Sequence, residues 1–402
     1  MHICFVCREY PPSLRGGGIS SYIKEMTQEM HLLGHQVTVI CASDDTRKES
    51  KQDDNGVTVI RLKGGDFIIP QVEKRTLLRR FRQIYRFFSY RKRILNTVQQ
   101  LKTIDIIEVA EFGAENYYLN KLNIPIVIRL HAPSIIIQEI KTGKKGISKL
   151  NWYNYWQSLQ ELKLIKKSPY ITSCSFALSK IISSRLSIPE EQISVIYNPI
   201  RVEAWKNYKK ENFSISKNVR IILPGAVYNV KGGEDLIKAC EIVHHETNYI
   251  INYTWVGKKG DFGDYMQSTY GKYDWFHLPG AVPREQVMRM YTEMDIVCIP
   301  SWWENMPMVC IEAMLCGAIV IGTNIGGISE IITDSQNGFL VPTHNPQAIA
   351  EKIKYVLSLS EREREQISKN ARQHIIEHFN IQSIMDKMVS QYKNIINNYK
   401  KK

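Results

Sequence analysis

Short apolar runs alternate with segments of helical period along nearly the whole chain, and the alternation occurs in two series. "HICFVC" near the start has strand length. Gly16, Gly17 and Gly18 follow, then Ile19, Ile23, Met26, Met30 and Leu33 recur at helical spacing before "QVTVICA" supplies the next strand. This pattern predicts a βαβ unit with a glycine-rich turn. Further strands are predicted at "IDIIEVA", "IPIVIRLHA" and "YITSCS", each followed by helical stretches, so the first half reads as a parallel sheet covered on both faces. A second series begins at "NVRIILPGA" and continues through "YINYTWVG", "WFHLPG", "DIVCIPS", "AIVIGT" and "GFLVP". The polar stretch "VIYNPIRVEAWKNYKKENFSISKN" between them predicts a connector and places the domain boundary near residue 200. Two α/β domains are therefore expected, 1–200 and 201–372, followed by a charged helical segment, 373–402, without strand signals.

A chain of 402 residues, 44% apolar and 23% charged, is long enough to bury a sizeable core and suits an enzyme. Nothing approaches the roughly 20 apolar residues of a spanning helix, and the apolar run in "MHICFVCREYPPS" is too short for a secretory signal. A cytoplasmic location is expected. The eight cysteines fall mostly in apolar runs, where a reduced thiol acts as a small hydrophobe. Cys4 and Cys7 form C-x-x-C inside a strand, not at the helix start that would favour a redox thiolate.

Charge adds a partner class. With 53 Lys plus Arg against 40 Asp plus Glu, the formal charge is +13, which favours phosphorylated substrates, an anionic membrane face or nucleic acid. "EKRTLLRRFRQIYRFFSYRKRIL", residues 73–95, concentrates basic side chains, among them Arg79, Arg80, Arg82 and Arg86, between Leu77, Phe81, Tyr85, Phe88 and other apolar residues. Two structures fit: a basic amphipathic helix on anionic lipid, or a helix packed on its own domain with a solvated basic face.

In doubly wound sheets, ligands bind where strands end and helix N-termini point, and the candidate motifs fall at such ends. "RGGGIS" offers bare backbone N–H groups suited to a phosphate. Its spacing is not G-x-G-x-x-G, yet "CASDD" after the next strand could imitate the acidic ribose reader of an NAD-dependent oxidoreductase, which remains an alternative. "GAVYNVKGG" places Lys231 at another strand-to-helix turn. In "SWWENMPMVCIE", a helix starting near Pro307 would put Glu312 about five residues in, roughly 7 to 8 Å along the axis. Phosphates at that N-terminus, ribose hydroxyls on Glu312 and a hydroxyl-rich group at Glu304 make one consistent ligand. Apolar neighbours argue against two merely solvated carboxylates.

The order of Gly17 and Gly18, "GAVYNVKG", E-x7-E at "ENMPMVCIE", "EAMLCGAIVIGTNIGGISEII" and "NGFLVP" resembles the retaining nucleotide-sugar glycosyltransferases of family four, over most of the chain. The resemblance implies the GT-B fold, two Rossmann-like domains facing a cleft, with the last helix crossing back to the first domain. It implies a nucleotide-diphosphate sugar as co-substrate, held mainly by the second domain, and no metal or other cofactor. Glu312 would be the ribose ligand and Glu304 the carboxylate near the donor sugar. Backbone groups of Asn305, Met306, Pro307 and Met308 would meet sugar hydroxyls and phosphate. Lys231 would be the cation on the diphosphate, Gly17 and Gly18 the close-approach glycines, and His131 in "RLHAPS" the histidine beside the donor sugar.

One position departs from the family pattern: Ala226 stands where an arginine is usual. That departure keeps a non-catalytic sugar-nucleotide binder as a further alternative. The implied reaction is front-face displacement at the anomeric carbon, which needs charge stabilisation and positioning but no protein nucleophile. The expected acceptor is a saccharide or a lipid-linked saccharide in surface polysaccharide or glycolipid synthesis, with an anionic inner membrane surface as a possible partner through 73–95 and no nucleic acid.

Overall fold

A computed structural model describes residues 1–14, 17–45, 47–65, 77–142 and 152–401. The chain divides into two compact units: Met1–Pro199 together with Gln382–Lys402, and Ile200–Ile381.

Unit 1 contains β1 (His2–Val6), α1 (Gly18–Leu32), β2 (Gln36–Ala42), β3 (Ser50–Asp54), β4 (Val57–Leu62), α2 (Leu77–Gln100), β5 (Ile106–Ala110), β6 (Ile126–Leu130), α3 (Ser134–Thr142), α4 (Trp152–Lys167), β7 (Ile171–Ser173), α5 (Phe176–Leu186) and β8 (Ile193–Val195). The sheet order is β3-β4-β2-β1-β5-β6-β7-β8, and β3 alone pairs antiparallel. β1 and β5 are buried at every residue, which explains why they read as continuous apolar runs. The β3–β4 hairpin was not anticipated, although Asn55-Gly56 at its tip, both with positive φ, is a strong two-residue hairpin signal.

The basic segment takes a form between the two expected ones. Its residues 73–76, and the side chains of Arg79 and Arg80, lie outside what is described. Beyond them, Tyr90, Ile94 and Val98 of α2 pack into a core with Cys4, Val6, Ile40 and Val109, so this face is covered by its own sheet. Arg91 is not an outward charge: it is fully buried and donates to the carbonyls of Phe87 (3.0 Å) and Gly113 (2.5 Å). Only the first described turns leave large apolar groups in water, with Phe81 71% and Tyr85 72% exposed.

Unit 2 contains β9 (Asn218–Pro224), α6 (Gly233–Glu246), β10 (Ile250–Val256), α7 (Asp261–Tyr270), β11 (Phe276–Gly280), α8 (Arg284–Glu293), β12 (Ile296–Ile299), α9 (Met308–Leu315), β13 (Val320–Thr323), α10 (Ile328–Ile331), β14 (Phe339–Val341), α11 (Pro346–Ser358) and α12 (Glu361–His378). Its parallel sheet runs β11-β10-β9-β12-β13-β14, so strand order reverses between β9 and β12. In unit 1 the reversal falls between β1 and β5. Crevices at such reversals, beyond the carboxyl ends of the strands, are where this sheet type takes ligands.

The last helix, α13 (Ile381–Lys400), belongs to unit 1 from Gln382 onward. The expected break at residue 373 falls inside α12, which stays with unit 2 because Ile375 and the following Phe379 are buried there. Ile200 N donates to Phe379 O (2.8 Å) and Ile381 N to Ile200 O (3.1 Å), stapling the two points where the chain changes unit. Among the described residues no helix is long and apolar enough to cross a membrane.

Candidate active site

In unit 2 the predicted residues gather at the strand reversal. After β9 the chain passes Gly225 and Ala226 to a single 3-10 turn, Asn229–Lys231, and Lys231 Nζ reaches Glu304 Oε1 at 2.5 Å. The Ser301 hydroxyl donates to the same oxygen at 2.9 Å. Both charged side chains are mostly covered, 23% and 14% exposed. The loop carrying Glu304 is held from several sides. Trp302 N donates to Val230 O and Trp302 Nε1 to Asp235 Oδ2, each at 2.8 Å. Gly327 N donates to Glu304 O at 2.8 Å. A Cβ on Gly326 would sit 2.1 Å from Glu304 O, and one on Gly327 would sit 2.1 Å from Asn305 O. The "NIGG" glycines are therefore required by the close approach of two backbones, which fixes Glu304 on a rigid support.

α9 begins at Met308 with Pro307 as its N-cap and no side-chain cap, so its first N–H groups form an open, partially positive end. Met306 is buried. Asn305 Oδ1 accepts from Trp303 Nε1 at 2.7 Å. The Pro307 carbonyl is the first acceptor of α9, taking Cys310 N (3.0 Å) and Ile311 N (3.4 Å). Glu312 lies in the second turn, 16% exposed, with Arg284 Nη2 at 3.2 Å. Arg284, first residue of α8, was missed. It stands outside the E-x7-E motif, and the only local signal is its position at a helix start after Pro283.

In unit 1, Gly17 caps α1 and Gly18 opens it, again without a side-chain cap. A Cβ at Gly17 would make only an ordinary 3.6 Å contact with the Glu9 carboxylate, and at Gly18 it would meet open space. Among the described residues, nothing in the fold demands glycine at either place. Arg15 and Gly16 of the same turn lie outside the described residues.

His131 follows β6 and is 6% exposed. Its N–H donates to Glu111 Oε2 (2.9 Å), and its ring meets the Tyr22 ring edge to face, centroids 4.7 Å apart. Nε2 is buried without a hydrogen-bond partner among the described residues. Burial first, and the Arg129 charge second, hold the imidazole well below its usual pKa, so it is neutral. Glu111 also accepts from Ala132 N at 2.5 Å, yet burial outweighs both bonds and pushes its carboxyl up to about 8. Glu161 accepts from Gly113 N (2.7 Å), Ser134 N (3.0 Å) and Ser134 Oγ (2.8 Å). These two carboxylates, with Arg91 on Gly113 O, hold the turns after β5 and β6. None of the three roles was read from the sequence.

Chemically, unit 2 offers a cation, an open helix N-terminus and two carboxylates, a set for an anionic, hydroxyl-rich ligand. Unit 1 offers a neutral imidazole with an unused nitrogen.

Comparison with known proteins bears on the family and the fold. Residues 16–204 match the family described as Glycosyltransferase Family 4, and residues 205–374 the family described as Glycosyl transferases group 1. An uncharacterized glycosyltransferase of Methanocaldococcus jannaschii is 25% identical over 98% of each chain. Sucrose-phosphate synthase from Thermosynechococcus elongatus superposes with a TM-score of 0.78 over 99% of each chain at 16% identity. Anabaena HepE, solved in complex with UDP and glucose, gives 0.70 over 97% of this chain and 99% of its own at 17% identity. The architecture is the GT-B fold.

Proposed function

Because the chain belongs to the glycosyltransferases of the GT-B fold, we propose that it transfers a hexose, with retention of anomeric configuration, from a nucleotide-diphosphate sugar to a saccharide or lipid-linked acceptor. The observation that carries the reading is the Lys231–Glu304 pair at the strand reversal of unit 2, beside the uncapped start of α9 and one helical turn from Glu312. In this reading Lys231 and the first N–H groups of α9 meet the diphosphate, Glu312 accepts from the ribose hydroxyls, and Glu304 accepts from the sugar. Gly17 and Gly18 admit the phosphates to bare backbone. His131, neutral and with Nε2 unfilled, hydrogen-bonds a hydroxyl of the donor sugar. No resident metal is needed.

The acceptor hydroxyl attacks the anomeric carbon on the face the diphosphate leaves. As the glycosidic C–O bond to phosphate breaks, the leaving oxygen takes the acceptor proton, so no protein nucleophile is consumed. The protein supplies orientation and stabilisation of developing negative charge, a contribution of a few kcal/mol per preorganised donor. With Ala226 where an arginine is usual, that duty falls on Lys231 and the α9 N-terminus. The family assignment removes the support for the NAD-dependent alternative.

Titration calorimetry with UDP, GDP, ADP and NAD, followed by turnover with sugar donors of whichever base binds, tests the proposal. A nucleoside diphosphate should bind and its sugar should be transferred with the anomeric configuration kept. NAD binding with no response to any nucleoside diphosphate would overturn it, and donor binding without transfer or hydrolysis would favour a non-catalytic binder.

The acceptor reading takes support from α2, where exposed Phe81 and Tyr85 stand one turn apart with exposed Arg82 between them. Aromatic and basic groups in that pattern suit an anionic bilayer surface, at about 1 kcal/mol per basic residue near the membrane. A lipid-linked saccharide at the inner membrane face is the corresponding acceptor. The protein should sediment with anionic liposomes, less so at high salt, and less when Phe81 and Tyr85 become alanine or Arg82 and Arg86 become glutamine. Indifference to anionic vesicles at low salt would point to a soluble acceptor.

A further inference from the structure

His131 is placed precisely by its backbone, yet its ring makes no hydrogen bond among the described residues, and Nε2 is buried without a partner. Ring orientation is thus left to packing, and the group packed on it is the Tyr22 ring, edge to face at 65°. Tyr22 is itself fixed at its far end: its hydroxyl donates to Glu108 Oε1 at 3.2 Å. The other oxygen of that carboxylate, Oε2, accepts from the Tyr392 hydroxyl at 2.5 Å. Arg129 completes the group, its guanidinium 4.9 Å from the Tyr22 ring centre and donating to Ile196 O (2.6 Å) and Asn198 Oδ1 (3.0 Å).

Tyr22, Glu108, Arg129 and Tyr392 are all buried, at 4% exposure or less. A carboxylate and a guanidinium in such a place cost several kcal/mol of desolvation that apolar residues of similar volume would not, so stability alone does not account for them. What a buried hydrogen-bonded network of this kind does supply is a preferred geometry, with Arg129 Nε alone of its polar atoms lacking a partner among the described residues. The members come from α1, β5, β6 and α13, and only α13 arrives after the chain has completed unit 2.

We infer that Glu108, locked by Tyr392 of α13 and holding Tyr22, is the positioning residue for the His131 ring, so that the returning helix is a working part of the candidate site and not only a tether. The inference rests on the role given above to His131. It is a further step, because nothing in that role requires α13.

The test uses the full-length protein and the donor returned by the nucleotide screen. His131→Ala should lower kcat. Tyr392→Phe and Tyr22→Phe, each deleting one hydroxyl and no ring, should lower kcat about tenfold while KM for the donor and UDP affinity stay within about twofold. Ile395→Ala, a buried position on α13 outside the network, should lower the melting temperature but leave kcat intact. In the His131→Ala background, Tyr392→Phe should have no further effect on kcat, the non-additivity expected of groups acting through one another. In protein labelled with nitrogen-15 at histidine, the His131 ring signal should move in Tyr392→Phe and not in Ile395→Ala.

If His131→Ala leaves kcat unchanged, the role of His131 fails and this inference with it. If His131→Ala is slow while both tyrosine variants turn over normally, the inference alone is overturned. Equal loss of kcat in Ile395→Ala and Tyr392→Phe would also overturn it, since general docking of α13 would then explain both.

Discussion

The candidate residues of the two units are held in place in opposite ways. In unit 2, charge meets charge between side chains near the surface: Lys231 with Glu304, and Arg284 with Glu312. In unit 1 the ionisable groups are buried and spend their valences on backbone, Glu111 on His131 N and Ala132 N, Glu161 on Gly113 N and Ser134 N, and Arg91 on loop carbonyls. Partly covered side-chain pairs that keep access to solvent can exchange one partner for a ligand group. Buried groups that satisfy backbone are expensive to disturb and have no reason to move. The unit 2 pairs are thus the ones suited to exchanging hydrogen-bond partners, and the unit 1 groups the ones that hold local shape.

The contrast is sharpest at Lys231. Lys231→Ala should cost about a hundredfold to a thousandfold in kcat, the scale for removing one preorganised stabiliser of developing charge, with little change in melting temperature. Glu161→Ala should show the reverse balance, destabilising by about 3 kcal/mol because it strands two buried backbone N–H groups and a hydroxyl. Thermal scans beside steady-state kinetics measure both. A Glu161→Ala protein as stable as the parent would break the comparison. Within unit 2 a smaller effect separates the carboxylates: Glu312→Ala should weaken binding of the nucleoside diphosphate found in the screen about tenfold, whereas Glu304→Ala should spare that affinity and depress turnover. Equal losses of nucleoside diphosphate affinity in titration calorimetry would refute that division.

The same contrast governs what the sequence made legible. Unit 2's loop geometry follows from local spacing: a strand, Ser301, Glu304, a proline at a helix start and the double glycine at 326–327 all stand within one short block, so residue order alone carries the arrangement. The parallel sheets were likewise legible, because strands buried on both faces leave unbroken apolar runs. Unit 1's buried network was not, since Glu108, Glu111, Glu161 and Tyr392 are brought to their partners only through the sheet order and the return of α13. No local periodicity marks a glutamate that will bond a backbone on a neighbouring strand. Arg91 shows how a local reading misleads: on the helical wheel it belongs to a basic cluster, and only the loop after β5 explains why it is buried. Short β8 and the β3–β4 hairpin escaped for different reasons, the first too brief to show a period and the second polar on both faces at β3.

The smallest effect expected is a pH dependence of stability set by the buried carboxyls of unit 1. Glu111 carries a folded-state pKa of about 8 against an ordinary value of 4.5, so between those limits the folded protein binds a proton that the unfolded chain has lost. Folding stability therefore falls as pH rises through the window; the contribution is complete below 4.5 and gone above 8. Burial raises Glu108 and Glu161 in the same direction. Groups of opposite sign bound the useful range. The histidines held below their usual value by burial, His2, His35, His131, His244 and His374, act on the acidic side, where the unfolded chain would protonate them. Lys210, lowered to about 8 by burial, makes stability rise with pH only above that point. Between pH 7 and 8 the carboxyls act with least interference, and wild-type stability should drop by up to about 1 kcal/mol. Glu111→Gln, which keeps an acceptor but cannot titrate, should reduce that slope. Chemical denaturation at half-unit pH steps measures it, and parallel slopes for wild type and Glu111→Gln would show that the buried carboxyl does not titrate there.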